Sequence, residues 1–282
     1  KVTGVQTCAL PIYLSGMDPA RCEPFQARDQ YLQARCPETL VRTYAMHWPN
    51  YQRETARNIR RSPFYHSLRE QGACFTETQG WERPGWYAPE GVAPQYEYSF
   101  GRQNWFEYAL EEQRAARERV AIVDYSMLGK ISVEGSGAEA FLQRVCTNNV
   151  AMSCGRIAYT LLLNERGGIE SDVTVARYAN DRYMVMSSIA RTRRDYLWLA
   201  SLIEPDEQVR LRDETASLGV LGVMGPQSRA LMAAVTELDV SNEAFPFNRF
   251  YDCHIGHAKV TAQRLSYSGE LGWEVLVTPD FA

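Results

Sequence analysis

Apolar and polar residues alternate with period two on either side of a turn in two places, and this organises the chain. Ile157 to Leu163 is an apolar run, Asn164-Glu-Arg-Gly-Gly168 is turn chemistry, and Ile169 to Tyr178 alternates again, which predicts a β-hairpin. Tyr251–Tyr267 reads as a second hairpin. Shorter runs predict strands at 120–125, 129–134, 182–187, 208–213 and 217–224, and Glu274-Val-Leu-Val277 is a strand entering Pro279. Helical spacing covers Phe25–Met46, Asn104–Arg119, Ala138–Cys146 and 191–203, and a further helix starts at Gly225-Pro226 and runs to Val235. Ser62–Gly72 adds a helix with a serine N-cap and a glycine stop. Residues 79–101 hold glycines, prolines and aromatics without periodicity and predict an inter-domain connection. No repeat or low-complexity tract stands out. The plan is α+β, with largely antiparallel sheets and packed helices.

Composition narrows the function classes. With 282 residues there is room for one large domain plus part of another. Hydrophobic residues at 45% and charged residues at 23% fit a folded chain. A net charge of −4 with scattered basic residues argues against nucleic acid as the partner. Apolar stretches are far too short for a membrane helix. The seven cysteines have no paired spacing, so a reducing compartment is expected: cytoplasm, or the mitochondrial matrix in a eukaryote. Cys253, His254 and His257 carry metal-binding chemistry, but they sit too close together, with the two histidines on opposite strand faces, so no metal site is expected. Gly135-Ser-Gly137 lacks the third glycine and the strand-to-helix context of a dinucleotide fingerprint. Gly219, Gly222 and Gly225 suggest close packing and a helix start.

Candidate chemistry lies in two segments, Ala158–Asp172 and Leu265–Glu274. Each sets an acid beside an apolar strand, with a tyrosine and turn glycines nearby. Acceptors, aromatic walls and little net charge suit a flat, nitrogen-rich heterocycle. A turn centred on Glu165-Arg166 puts Tyr159 almost opposite Asp172, and a bulge at Gly167 would shift the register by one. Tyr267 and Glu274 are an odd number of residues apart, so one unbroken strand would put them on opposite faces. A break at Ser268-Gly269 lets both point into one pocket. A buried Glu274 needs a partner.

Both segments resemble the tetrahydrofolate-binding aminomethyltransferase domain of the glycine-cleavage T protein. The same domain forms the C-terminal half of dimethylglycine dehydrogenase, dimethylglycine oxidase and sarcosine dehydrogenase. The resemblance runs from about Phe100 onward, through Val120-Ala-Ile-Val-Asp-Tyr-Ser-Met-Leu-Gly-Lys130, Gly135-Ser-Gly-Ala-Glu-Ala-Phe-Leu142 and Thr147-Asn-Asn149. Where the family has Gly-Gly-Ile-x-Asp-Asp, this chain has Gly167-Gly-Ile-Glu-Ser-Asp172, so Ser171 replaces the first acid, as in the dimethylglycine and sarcosine enzymes. Upstream, Met17-Asp-Pro-Ala-Arg21, Tyr44-Ala-Met-His47 and Trp81-Glu-Arg-Pro-Gly-Trp86 look like the tail of the flavin half of those fusions.

The resemblance implies a catalytic role for Asp172 beside the reacting folate nitrogen, with Tyr159 and Tyr267 lining the pterin and Glu274 fixing its edge. The implied cofactors are tetrahydrofolate and FAD, the latter bound by a flavin half outside this sequence. The implied partners are a small N-methyl amine, dimethylglycine or sarcosine, and an electron-acceptor protein or oxygen. Residues 1–12 read as a translated sequencing adapter, 13–100 as the flavin-domain tail and linker, and 101–282 as an incomplete folate-binding domain, which makes the chain a fragment. Two alternatives remain. A stand-alone T-protein-like aminomethyltransferase conflicts with residues 13–88, and a non-catalytic folate-binding module conflicts with retention of Asp172.

Overall fold

A computed structural model describes residues 18–282; the adapter-like stretch 1–12 lies outside the described residues. The N-terminal part begins with helix α1 (Asp29–Tyr44), preceded by a 3-10 turn at Pro24–Ala27. A small sheet follows, made of β1 (Arg60–Arg61), β2 (Ala73–Thr78) and β3 (Trp81–Tyr87) in the order β1-β3-β2, with the short helix α2 (Tyr65–Glu70) between β1 and β2. β3 corrects the sequence reading, which assigned 79–101 to an irregular connection. Pro84-Gly85 hides the alternation. The proline is tolerated because β1 pairs only with Trp81 and Glu82, and a bulge opposite Cys74/Phe75 absorbs the extra residue. Trp86 is fully buried and stacks on Tyr108 of helix α3 (Phe106–Glu118), with ring centroids 5.5 Å apart.

The remaining elements are β4 (Ala121–Asp124), β5 (Gly129–Glu134), α4 (Ala138–Val145), β6 (Ile157–Leu163), β7 (Ile169–Ala179), β8 (Arg182–Ser187), α5 (Thr192–Ser201), β9 (Arg210–Asp213), β10 (Gly219–Met224), α6 (Ser228–Val235), β11 (Phe250–Ile255), β12 (Ala258–Gln263) and β13 (Gly272–Val277). They build two antiparallel sheets, β6-β7-β8-β5-β9 and β11-β12-β13-β10-β4. The two orders are the same plan used twice. Each has a hairpin, a central third strand, a fourth strand that runs into a helix, and an edge strand contributed by the other half.

This internal repeat escaped the sequence reading for a physical reason. Gly129–Val145 and Gly219–Val235 share little beyond Gly129/Gly219, Val133/Val223, Gly135/Gly225, Ala140/Ala230 and Val145/Val235. The two glycines at the strand-to-helix turn are held by geometry. Gly135 has φ +126° and Gly225 φ +125°; a Cβ on the first would lie 2.0 Å from the Gln208 carbonyl oxygen, and on the second 2.6 Å from that of Arg119. The strand-to-helix context denied to Gly135-Ser-Gly137 is therefore present. It belongs to an antiparallel sheet, and the glycine makes room for backbone rather than for a phosphate.

Alternation along the strands sorts side chains into outer and inner faces. Ile131, Val133, Val173, Val175, Tyr183 and Val185 pack outward with Phe141, Leu142 and Leu199 of α4 and α5. In the second sheet Val223, Val260, Trp273 and Val275 pack outward with Met232 of α6. The inner faces meet through a smaller cluster in which Ile157, Ala176, Met184 and Met186 contact Phe250 and Leu265. Polar residues share these inner faces: Lys130 and Ser132 on β5, Gln263 on β12 and Glu274 on β13, all buried.

Candidate functional site

The register of the β6–β7 hairpin decides how Tyr159 and Asp172 meet. Asn164 N–H donates to the Gly168 carbonyl at 2.9 Å, and Gly167 takes φ +74° in the loop. A shift between Leu162 and Leu163 then pairs Asp172 with Leu161 and Tyr159 with Thr174. The pairing is thus displaced by two residues from the near-opposite arrangement expected. Because the strand period is two, both side chains still share the inner face. The Tyr159 hydroxyl donates to Asp172 Oδ2 at 3.2 Å. Tyr159 is 56% exposed, and desolvation and the Asp172 carboxylate raise its phenol pKa.

Ser171 points to the opposite, outer face. Its hydroxyl donates to Asp195 Oδ2 at 2.7 Å, and Ser187 Oγ donates to the same oxygen. Asp195, on α5, is 1% exposed. Burial pushes its carboxyl above the usual range, opposed by the hydroxyls of Ser187 and Ser171 and by Arg191 and Arg194. Arg191, the N-cap of that helix, donates to the Glu170 carbonyl, while Arg194 within it pairs with the Glu170 carboxylate and, at 3.2 Å, with Asp18. The two residues before Asp172 are therefore clamped from α5.

In the second segment the chain leaves the sheet before β13, with Gly269 at φ +80°. Tyr267 lies in that loop and is 91% exposed, whereas Glu274 is 7% exposed on the inner face. The structure brings Tyr159 to Asp172, but no hydrogen bond among the described residues joins this pair to Tyr267 or Glu274.

Glu274 sits in register between Gln263 and Gly222. A Cβ on Gly222 would come within 2.6 Å of Tyr125 Cε2, so the missing side chain lets the Tyr125 ring lie over the strand. Burial pushes the Glu274 carboxyl up to about 7, opposed by the charge of Lys130. No hydrogen bond from the described residues reaches this carboxylate. Gln263 Oε1 on the neighbouring strand is also buried and without a partner, while Gln263 Nε2 reaches the Tyr178 hydroxyl at 3.3 Å. Two acceptors side by side, lacking donors and flanked by an aromatic ring, suit the N–H edge of a flat heterocycle.

Sequence reasoning missed Tyr125, Gln263, Lys130 and Asp195. Tyr125 and Lys130 lie inside the Val120–Lys130 motif, but nothing in its pattern shows where the crossover between sheets turns them. A cleft of about 310 Å³ also opens between the sheets, lined by Ser132, Tyr178, Met184, Thr261 and Leu276 among others, and it contains none of the four expected site residues. Among the described residues no group of three His, Cys, Asp or Glu side chains could hold a metal ion, and no helix is long and apolar enough to cross a membrane.

The paired antiparallel sheets with helices outside have the α+β fold of an aminomethyltransferase domain. The chain belongs to the GCVT N-terminal domain family, which matches residues 64–282. Residues 9–62 match the FAD dependent oxidoreductase central domain. The chain is 39% identical over 268 residues to a 4-methylaminobutanoate oxidase (formaldehyde-forming) of Paenarthrobacter nicotinovorans, covering 95% of this chain and 32% of that protein. It is 31% identical to the mitochondrial sarcosine dehydrogenase of Homo sapiens, covering 87% and 31%, and 29% identical to the human mitochondrial dimethylglycine dehydrogenase, covering 94% and 30%. The chain thus spans about a third of the length of these curated relatives. In fold it resembles the glycine cleavage system aminomethyltransferase T from Bartonella henselae, with a TM-score of 0.62 at 23% identity, covering 80% of this chain and 55% of that one.

Proposed function

We propose that this chain is the folate-binding, one-carbon-accepting part of an FAD-dependent enzyme that demethylates an N-methyl amine. The observation that carries the reading is a buried residue, Glu274, whose carboxylate takes no hydrogen bond from the described residues, next to the buried, unpartnered Gln263 Oε1 and the Tyr125 ring. When bound, tetrahydrofolate supplies the amine nitrogens that take up the carbon as 5,10-methylenetetrahydrofolate. Glu274 accepts from the ring N–H and amino group of the pterin edge, a two-donor fork that matches a carboxylate. Asp172 orients the reacting nitrogen and stabilises positive charge developing there. Tyr159 holds Asp172 Oδ2 through its hydroxyl, and Tyr267 lines the pterin from the rim. FAD is bound by the flavin portion of the protein, whose electrons pass to oxygen or to an acceptor protein. The amine is of the class named in the relatives: sarcosine, dimethylglycine or a longer N-methyl amino acid such as 4-methylaminobutanoate.

The formaldehyde-forming name of the 39% identical relative motivates a second reading, in which the carbon leaves as formaldehyde. One experiment separates the two. In the full-length protein, Glu274→Gln should weaken binding of a reduced folate, and Asp172→Asn should lower the yield of methylene-folate and raise free formaldehyde. If both variants leave folate affinity and product ratio unchanged, the folate reading is refuted.

A further inference from the structure

Between the two sheets lies a lysine with no task in the chemistry above. Lys130 is fully buried on the inner face of β5. Its Nζ donates to the Ser126 carbonyl at 2.8 Å and the Leu128 carbonyl at 2.9 Å, both in the crossover from β4 to β5. An ammonium has three N–H donors, so two carbonyls leave one direction free. Lys130 also ends a row that crosses the inner face of the first sheet: Tyr159 pairs with Thr174, Thr174 with Met186, and Met186 with Lys130. With strands about 4.8 Å apart, that row spans about 14 Å from the Tyr159–Asp172 end to the lysine. At the lysine end Nζ is held at Ser126, whose hydroxyl accepts from the Val220 N–H at 3.0 Å, and Val220 pairs with Leu276 on β13, the strand that carries Glu274.

The charges around this lysine come from several elements. Asp124 at the end of β4, Asp213 on β9 and Glu274 on β13 attract it, and Arg60 on β1 repels it. Glu274 in turn is faced by Lys130 and by the Tyr125 phenol. Among the described residues no ion pair within 4.0 Å involves either Lys130 or Glu274, so each acts on the other by its charge and not by direct contact.

We propose that Lys130 is a positioning residue for cofactor recognition. Fixed by the crossover carbonyls, it is the buried cation that keeps Glu274 in the carboxylate form required by a two-donor pterin edge. The inference deepens the folate reading and rests on it. Burial drives both groups toward neutrality, Glu274 up to about 7 and Lys130 down to about 7. The lysine's charge is the influence that opposes protonation of Glu274. Removing it lets the Glu274 carboxyl climb further, and the loss in affinity falls where the wild-type group is ionised and the variant's is not.

The test is equilibrium binding of 5-formyltetrahydrofolate to the full-length protein between pH 5.5 and 9, with thermal denaturation alongside. In wild type, affinity should fall about tenfold per pH unit below the midpoint. Lys130→Met should move that midpoint to higher pH, with the curves converging at alkaline pH. If Lys130 merely caps the crossover carbonyls, Lys130→Met lowers stability or affinity at every pH without moving the midpoint, and the proposal is overturned. Should Lys130→Met fail to fold, Lys130→Arg and Glu274→Gln decide. Lys130→Arg must keep the wild-type midpoint, and Glu274→Gln must erase the pH dependence; failure of either overturns the proposal. If instead Glu274→Gln binds as well as wild type at all pH values, the folate role of Glu274 itself has failed.

Discussion

Truncating Asp195 to alanine probes how the strand bearing Asp172 is held. The carboxylate accepts from two buried hydroxyls, Ser171 and Ser187, and sits 3.9 Å from Arg191 Nε. Hydrogen bonds to a charged group contribute about 1.5–3 kcal/mol each, and a buried hydroxyl left without an acceptor costs about 1–3 kcal/mol. Burial works the other way: it raises the Asp195 carboxyl, so relief of a desolvated charge offsets part of the loss. A net destabilisation of about 3 kcal/mol is expected for Asp195→Ala. Asp195→Asn should cost about 1 kcal/mol, because the amide can accept from one serine and donate to the other hydroxyl oxygen. Hydrogen exchange of residues 169–179 in the full-length protein reads the effect directly, since α5 clamps β7 through Ser171 and Glu170. Protection in β7 should drop strongly for alanine and weakly for asparagine. Equal protection in both variants and wild type would refute the clamp.

Two further outcomes follow from the geometry. Gly135→Ala forces a side chain into φ +126° and against the Gln208 carbonyl, so it should destabilise by about 3 kcal/mol or more, measured as a lowered denaturation midpoint, whereas Gly91→Ala, with no atom within 4 Å of the added Cβ, should lose only the conformational cost of about 1 kcal/mol. The Glu274 carboxyl is raised from 4.5 to about 7. The folded state therefore holds that proton more tightly than the unfolded chain. This contribution is complete below about pH 4.5 and is lost as pH rises through about 7, amounting to about 3 kcal/mol. Without ligand, Glu274→Gln should thus gain stability relative to wild type at pH 8 and not at pH 4.5. A difference independent of pH contradicts the assignment.

Much of the fold was legible because alternation and turn chemistry are local. The β8 strand at 182–187, the β6–β7 hairpin and the helices after Gly135 and Gly225 appear where patterning put them. The strand at Trp81–Tyr87 was not legible, because Pro84-Gly85 breaks its alternation and only the neighbouring β2 compensates. At the site, Tyr159 and Asp172 could be placed together because one hairpin carries both. Their register still depended on where the loop closes, and it came out two residues away from the expected pairing.

By itself the amino-acid order determined which segments become strands and helices and which face of each strand is apolar. Those properties depend on neighbours one to four residues apart. Tertiary structure alone decided that the edge strands β4 and β9 are exchanged between the two sheets. That exchange carries the crossover through the interior and buries Lys130 there, against the carbonyls of Ser126 and Leu128. No local pattern encodes it, because the pairing joins residues as distant as Asp124 and Leu221. The charge environment of the candidate site exists only once both sheets have closed over it.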